Sequence, residues 1–257
     1  MSIDLEVTDH VAVVTINRPE RLNAMDREHY RGLSDAWTRI RDDADISVAI
    51  VTGAGERSFT TGADLKSTIG TVSPLADLWL TQKDMLLNRG LEMWKPIISA
   101  INGYCLGGGM TLMLATDIRI AAEHATFGLS EVKRGIFASN GGTQRILAQV
   151  PYAIGMEMLL VGDQFDAATA ERWGLINKIV PAADLMATAL AYAKRIAANG
   201  PLAVRAAKEL AVRGQNMSLA DGLRMEQLVA RILNASEDVK EGTSAFKEKR
   251  APQFTGR

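Results

Sequence analysis

Three consecutive glycines, Gly107, Gly108 and Gly109, stand between a short apolar run, Ile97 to Ile101 with the break Asn102-Gly103, and a second apolar segment, Met110 to Ala115. Strand, glycine turn and helix start is an order that leaves backbone N–H groups without intrahelical partners and aims them at one point. Glycine allows a ligand to approach that backbone closely, because no Cβ stands in the way. Such a point suits an anion, or an oxygen that becomes anionic during a reaction. A second segment has the same character: the β-branched run Ile46 to Thr52, the turn Gly53-Ala54-Gly55-Glu56, then Phe59-Thr60-Thr61-Gly62-Ala63-Asp64-Leu65-Lys66 entering a helix. A carboxylate able to carry a proton is available at Glu131, in Leu129-Ser130-Glu131-Val132. Read from residue type alone, Glu131 is a solvated acid or the ion-pair partner of Lys133 or Arg134.

The elements that must position these residues alternate. Val11 to Ile16 reads as a strand, and Asp26 as the N-cap of a helix that runs to about Arg41. Leu75 to Trp94 carries apolar residues at helical spacing, among them Leu75, Leu78, Trp79, Leu86 and Met93, after a Gly70, Ser73, Pro74 stretch that reads as a mobile loop. Ile118 to Ala121 and Ala125 to Phe127 read as short strands. From Pro151 the pattern is helical, with one strand near Lys178 to Val180 and breaks at Pro181, Asn199-Gly200-Pro201, Gly214 and Ser218. Alternation that gives way to helices predicts an α/β core followed by a helical tail.

Composition narrows the function classes. A chain of 257 residues can bury a substantial core. A net charge of −1 provides no global field for nucleic acid or a membrane surface. The single cysteine, Cys105, excludes an internal disulfide, fits a reducing compartment, and has the apolar neighbours of a packed core thiol. The opening MSIDLEVTDH carries acids where an export or mitochondrial signal would carry bases, which predicts a cytoplasmic protein. Ile97 to Ala115 is apolar enough to resemble a membrane span, yet its four glycines and Asn102 fit the strand-to-helix reading. His10, His29 and His124 lack metal-ligand spacing and read as surface or turn residues. Trp37, Trp79, Trp94 and Trp173 read as core or pocket wall. No dinucleotide G-x-G-x-x-G surrounds the triplet and no G-x-S-x-G nucleophile elbow occurs.

The joint pattern of Asn17-Arg18-Pro19 with Asn23-Ala24, Thr61-Gly62-Ala63-Asp64, Asn102-Gly103 with the glycine triplet, and Gly141-Gly142-Thr143 resembles the crotonase (enoyl-CoA hydratase/isomerase) superfamily over nearly the whole chain. The resemblance implies an α/β crotonase-type spiral of repeated ββα units, residues 1–195, and a C-terminal α-helical trimerisation region, residues 196–257. It implies an acyl-CoA substrate, a homotrimer or dimer of trimers, and no metal or redox cofactor, since coenzyme A arrives as part of the thioester. Two backbone N–H groups, those of Ala63 and Gly108, would polarise the thioester carbonyl, and one such donor is worth about 3 kcal/mol of barrier. The family's acid/base maps onto Glu131. Lys66 matches a position near the CoA phosphates and Arg21, with Ala24, one near the adenine end. Asp64, Leu65, Gly107 and Ser139 complete the implied substrate-binding set, with Phe246 and Lys249 on a tail that can reach a neighbour's CoA.

Position 111 departs from that pattern. A hydratase of the family carries its second glutamate two residues after the triplet, where this chain has Thr111, which can orient water or substrate but cannot act as a base. Ser139 stands where dienoyl-CoA isomerases and chlorobenzoyl-CoA dehalogenases carry an aspartate, and Phe137-Ala138-Ser139-Asn140 implies a reshaped pocket floor. A single glutamate at position 131 is the arrangement of the Δ3,Δ2-enoyl-CoA isomerases, which move a proton from C2 to C4. A protein that keeps the fold and binds acyl-CoA without turnover is the alternative of a different class.

Overall fold

Two sheets wind around a shared core. The computed structural model describes residues 2–68 and 85–257. The larger sheet has the order β1 (Ile3–Thr8), β2 (Val11–Ile16), β3 (Val48–Gly53), β5 (Ile97–Ile101), β7 (Ile118–Ala122), β10 (Lys178–Val180). Only β1 runs antiparallel to its neighbour. The smaller sheet orders β4 (Ser58–Thr60), β6 (Tyr104–Leu106), β8 (Thr126–Gly128) and β9 (Phe165–Asp166), with the last strand antiparallel. The central windings place one strand in each sheet and then turn into a helix, as β5, β6 and α3 (Gly108–Met113) do. That repeated ββα turn is the expected spiral.

Side-chain alternation explains why the large sheet is covered on both faces. Val48, Ile50, Ile98 and Ile120 pack with Leu185, Ala189 and Ala193 of α7 (Leu185–Ala197). Their neighbours Ala49, Val51, Ile97 and Ile101 face the second cluster, with Trp37 and Ile40 of α1 (Arg27–Asp42). Each fully buried aliphatic side chain of this kind contributes about 1.5–3 kcal/mol. Cys105 is buried in that second cluster, and burial pushes its thiol up, as expected of a packed thiol.

Asp26 caps α1, its Oδ1 accepting from the backbone N–H groups of Glu28 (3.0 Å) and His29 (3.2 Å). His29 corrects the sequence reading: it is a buried residue of α1, its Nδ1 2.7 Å from Asp26 Oδ1. Of the helical spacing read at 75–94, the part that is described, residues 85–94, is a second point of difference. Gly70, Ser73, Pro74, Leu75, Leu78 and Trp79 lie outside the described residues. Residues 85–94 form only a 3-10 turn, Leu87–Arg89, closed by Gly90 at φ +91°, while Leu86, Leu87 and Met93 stay buried.

The spiral is completed by α2 (Leu65–Thr68), α4 (Gly142–Gln149), α5 (Tyr152–Val161) and α6 (Ala167–Arg172). Beyond α7 come α8 (Pro201–Gly214), α9 (Leu219–Leu233) and α10 (Glu237–Glu248). Pro201 opens α8 at the position where its missing N–H costs nothing, and Ser218 and Ser236 cap the next two. No residue of α8 or α9 is buried. No helix among the described residues is long and apolar enough to cross a membrane.

Candidate active site

Two backbone amides meet where the first two windings touch. Met25 pairs with Ala63 in a parallel bridge: Met25 N–H donates to Gly62 O and Asp64 N–H to Met25 O, both 2.8 Å. Because the amides on either side of Ala63 face Met25, the N–H of Ala63 points the other way. Gly108 opens α3, so its N–H has no carbonyl one turn earlier. Neither N–H donates a hydrogen bond among the described residues. They are neighbours: a Cβ on Gly108 would lie 3.4 Å from Ala63 N, and one on Gly62, which sits at φ +86°, only 2.4 Å from Gly108 N. This approach requires glycine at position 62.

Glu131 faces the same turn. It begins the 3-10 turn Glu131–Arg134 that follows β8, and a Cβ added to Gly107 (φ +51°) would stand 3.5 Å from its Oε1. Its Oε2 is buried without a hydrogen-bond partner among the described residues. Burial pushes the carboxyl above the usual glutamate range, against smaller opposing pulls from its own backbone N–H and the Arg134 charge. Neither candidate cation pairs with it: Lys133 pairs with Asp163, and Arg134 Nη1 donates to Ser130 O at 3.1 Å. A half-desolvated carboxyl with a free oxygen can take and return a proton.

Thr111 lies one turn into α3, 1% exposed. Its hydroxyl donates to Gly108 O (3.0 Å) and accepts from Asn88 Nδ2 (3.1 Å), and its methyl lies 2.9 Å from where a Gly142 Cβ would be. Both hydrogen bonds are made to protein. Asn88 is a residue that sequence reasoning missed, since nothing local in the 85–94 stretch marks it. Ser139 is exposed in the turn after buried Ala138, and Asn140, at φ +58°, accepts from Arg89 Nε at 2.8 Å.

The remaining candidates divide. Gly107 is part of the group. Asp64 caps α2, accepting from Lys66 N–H at 3.1 Å, and is tied to Arg18. Leu65 and Lys66 open α2, with Lys66 exposed; Ala24 sits beside the Met25–Ala63 bridge; Arg21 is exposed on the 3-10 turn Pro19–Arg21. Phe246, 85% exposed, and Lys249, the left-handed C-cap, belong to α10, and no hydrogen bond joins them to the group around Glu131. A cavity of about 1110 Å³ between the 87–94 segment, α4 and α8 has neither Glu131 nor Gly108 in its lining, but Asn88 in its wall donates to Thr111 of α3, and Arg145 donates to Asn88 O. Among the described residues, no cluster of His, Cys, Asp or Glu is arranged to hold a metal ion.

Known proteins share this architecture. The family model described as enoyl-CoA hydratase/isomerase matches residues 6–257. The chain is 45% identical over 256 residues to an (E)-benzylidenesuccinyl-CoA hydratase of Thauera aromatica, covering all of both chains. It is 38% identical to a carnitinyl-CoA dehydratase of Proteus mirabilis over 261 residues, covering all of this chain and 99% of that one. Among solved structures, an enoyl-CoA hydratase from Bacillus anthracis superposes with a TM-score of 0.92 at 35% identity over the full length of both chains. One from Mycobacterium tuberculosis superposes with a TM-score of 0.89 at 38% identity, covering 100% of this chain and 99% of that one.

Proposed function

The chain belongs to the enoyl-CoA hydratase/isomerase family, and we propose that it adds water to, or removes it from, the C2–C3 bond of a CoA thioester, with Glu131 as the only carboxylate that moves protons. The observation that carries this reading is the meeting of two amides without an acceptor among the described residues, Ala63 and Gly108, with the desolvated carboxyl of Glu131 across Gly107. The two N–H groups would hold the thioester oxygen as negative charge develops on it. Water adds to C3 as Glu131 takes its proton, and the protonated carboxyl then delivers that proton to C2 of the enolate. The carboxylate is restored and one water has been added. Substrate positions assigned to Arg21, Ala24, Asp64, Leu65, Lys66, Gly107, Ser139, Phe246 and Lys249 are part of the same proposal.

A second reading, the C2-to-C4 proton shuttle of an isomerase, is favoured by Thr111, whose hydroxyl is committed to Gly108 and Asn88. The names of the relatives, a hydratase and a dehydratase, favour water chemistry. Crotonyl-CoA, carnitinyl-CoA and (E)-benzylidenesuccinyl-CoA should be screened by mass spectrometry for water gain or loss, double-bond migration and deuterium uptake at C2. An enzyme of this kind changes at least one of them. Binding of CoA esters with no change in any would instead identify a non-catalytic acyl-CoA binder.

With one carboxylate, hydration of a small unactivated enoyl thioester should be slow. Thr111→Glu places a second carboxylate on α3 and should raise crotonyl-CoA hydration at least about tenfold, a modest share of what one positioned base can contribute. The gain should depend on pH, since two nearby carboxyls raise the pKa of one. A wild type that already hydrates crotonyl-CoA rapidly, or a folded variant with no gain at any pH, contradicts the assignment of position 111.

Residues 196–257 are proposed as the oligomerisation region of a cytoplasmic homotrimer or dimer of trimers. Leu219 and Leu223, and on the opposite side of α9 Leu228 and Ile232, are exposed, apolar faces that further copies would cover. Light scattering should return three or six times the chain mass, and a stable monomer at micromolar concentration would refute the proposal.

A further inference from the structure

We infer that Arg18 is a positioning residue for the Ala63 amide, clamping the strand pair whose register aims that N–H into the site; this rests on the oxyanion reading proposed above. A single nitrogen, Arg18 Nη1, donates to Ala24 O at 3.2 Å and to Asp64 Oδ2 at 3.0 Å. Ala24 precedes Met25 and Asp64 follows Ala63, so the guanidinium ties together the neighbours of the two bridged residues. The same nitrogen is 3.3 Å from Asp26 Oδ2, while Asp26 Oδ1 is held by the first turn of α1 and by buried His29. That contact anchors the clamp to a rigid helix.

Arg18 is itself fixed from behind. Its backbone N–H donates to Asn23 Oδ1 at 2.9 Å, and Asn23 is fully buried, its Nδ2 donating to Ala54 O and Ser58 O and its carbonyl accepting from Thr60 Oγ1. The loop 17–25 is therefore locked onto β4 before it reaches the bridge. Among the described residues, two backbone hydrogen bonds, Met25 N–H to Gly62 O and Asp64 N–H to Met25 O, set the direction of Ala63 N–H. A bridge that short holds its register poorly alone, and the Arg18 clamp makes up for its length. An error of about an ångström in a donor costs roughly a hundredfold in rate, so a clamp one residue away acts on chemistry without touching substrate.

The test uses acetoacetyl-CoA, a thioester that loses its C2 proton to give an enolate with its own near-ultraviolet band. Oxyanion donors lower the pH at which the bound enolate forms. Arg18→Met and Asp64→Asn should each raise that midpoint by about one unit, a tenfold loss of enolate stabilisation, and in Arg18→Met the acetoacetyl-CoA affinity at low pH should change little. Arg18→Lys, which restores one donor, should recover part of the shift. Electrostatics alone predicts opposite signs, since removing a nearby cation disfavours the enolate and removing a nearby carboxylate favours it. Misalignment of Ala63 moves both variants the same way. A lower midpoint in Asp64→Asn, or a folded Arg18→Met with the wild-type value, overturns the inference while leaving the oxyanion reading intact. If Arg18→Met does not fold, Asp64→Asn decides alone. A wild type that leaves the midpoint of free acetoacetyl-CoA unchanged removes the oxyanion reading itself, and the clamp with it.

Discussion

Glu131→Gln should lower turnover about a thousandfold, within the range that one positioned acid/base contributes, while CoA-ester affinity changes little. The amide keeps the shape of the side chain beside Gly107 and cannot take a proton from water or return it to C2. The pH profile provides an independent check. Burial raises the Glu131 carboxyl above the ordinary glutamate range, and a base works only when ionised. Wild-type activity should therefore rise with pH through a limb lying above that range, and the residual activity of the variant should lack the limb. Stability should move the other way. A group whose folded-state pKa is raised contributes stability below its unfolded pKa and loses it as pH rises through the folded value. Once ionised, Glu131 with its desolvated Oε2 is a cost, so above its folded value Glu131→Gln should melt no lower than wild type, and any gain should fade as the pH falls below the ordinary glutamate value. Near-wild-type turnover in the variant would sink the assignment.

How far the sequence could go follows from the range of the forces that decide each feature. The strands β3, β5 and β7 and the cap at Asp26 were legible because they depend on neighbours two to four residues away. The glycine triplet was legible because a turn of that geometry tolerates little else. His29 was misread because a lone histidine carries no signal of what packs over its helix, and its partner is a cap that serves α1 as well. The helical spacing at Leu86 and Met93 was real burial without a helix, since Gly90 breaks the chain just after one turn. Arg18 could be quoted as part of a motif, but its clamp joins positions 46 residues apart. Glu131 was the reverse case: its residue type reads as a solvated acid, and only the packing of Gly107 and the absence of a paired cation among the described residues separate it from one.

Gly108→Pro should cost a further factor of about a hundred to a thousand in turnover beyond Gly108→Ala, the loss seen when one oxyanion donor is removed. The comparison is needed because position 108 is crowded: any Cβ there comes within 3.0 Å of Gly62 Cα. Alanine carries that crowding and keeps the N–H; proline carries it and deletes the N–H. Helix geometry does not object to proline, since Gly108 is the first residue of α3, where proline's fixed φ is at home and the lost N–H has no intrahelical partner. The strain lies one residue earlier, at Gly107 with φ +51° and ψ −114°, because proline restricts the residue before it. Circular dichroism and melting must therefore accompany the kinetics. Loss of the donor should appear in turnover and leave CoA-ester binding within a few-fold, since the thioester carbonyl of the ground state carries little of the charge that the amide stabilises. Replacing the Gly107–Gly108 amide by an ester through semisynthesis removes the same hydrogen with no added bulk. It should reproduce most of the proline effect. Equal turnover in folded alanine and proline variants, together with an ester that works as well as the amide, would leave Ala63 as the only donor and return the glycine triplet to the role of a tight turn.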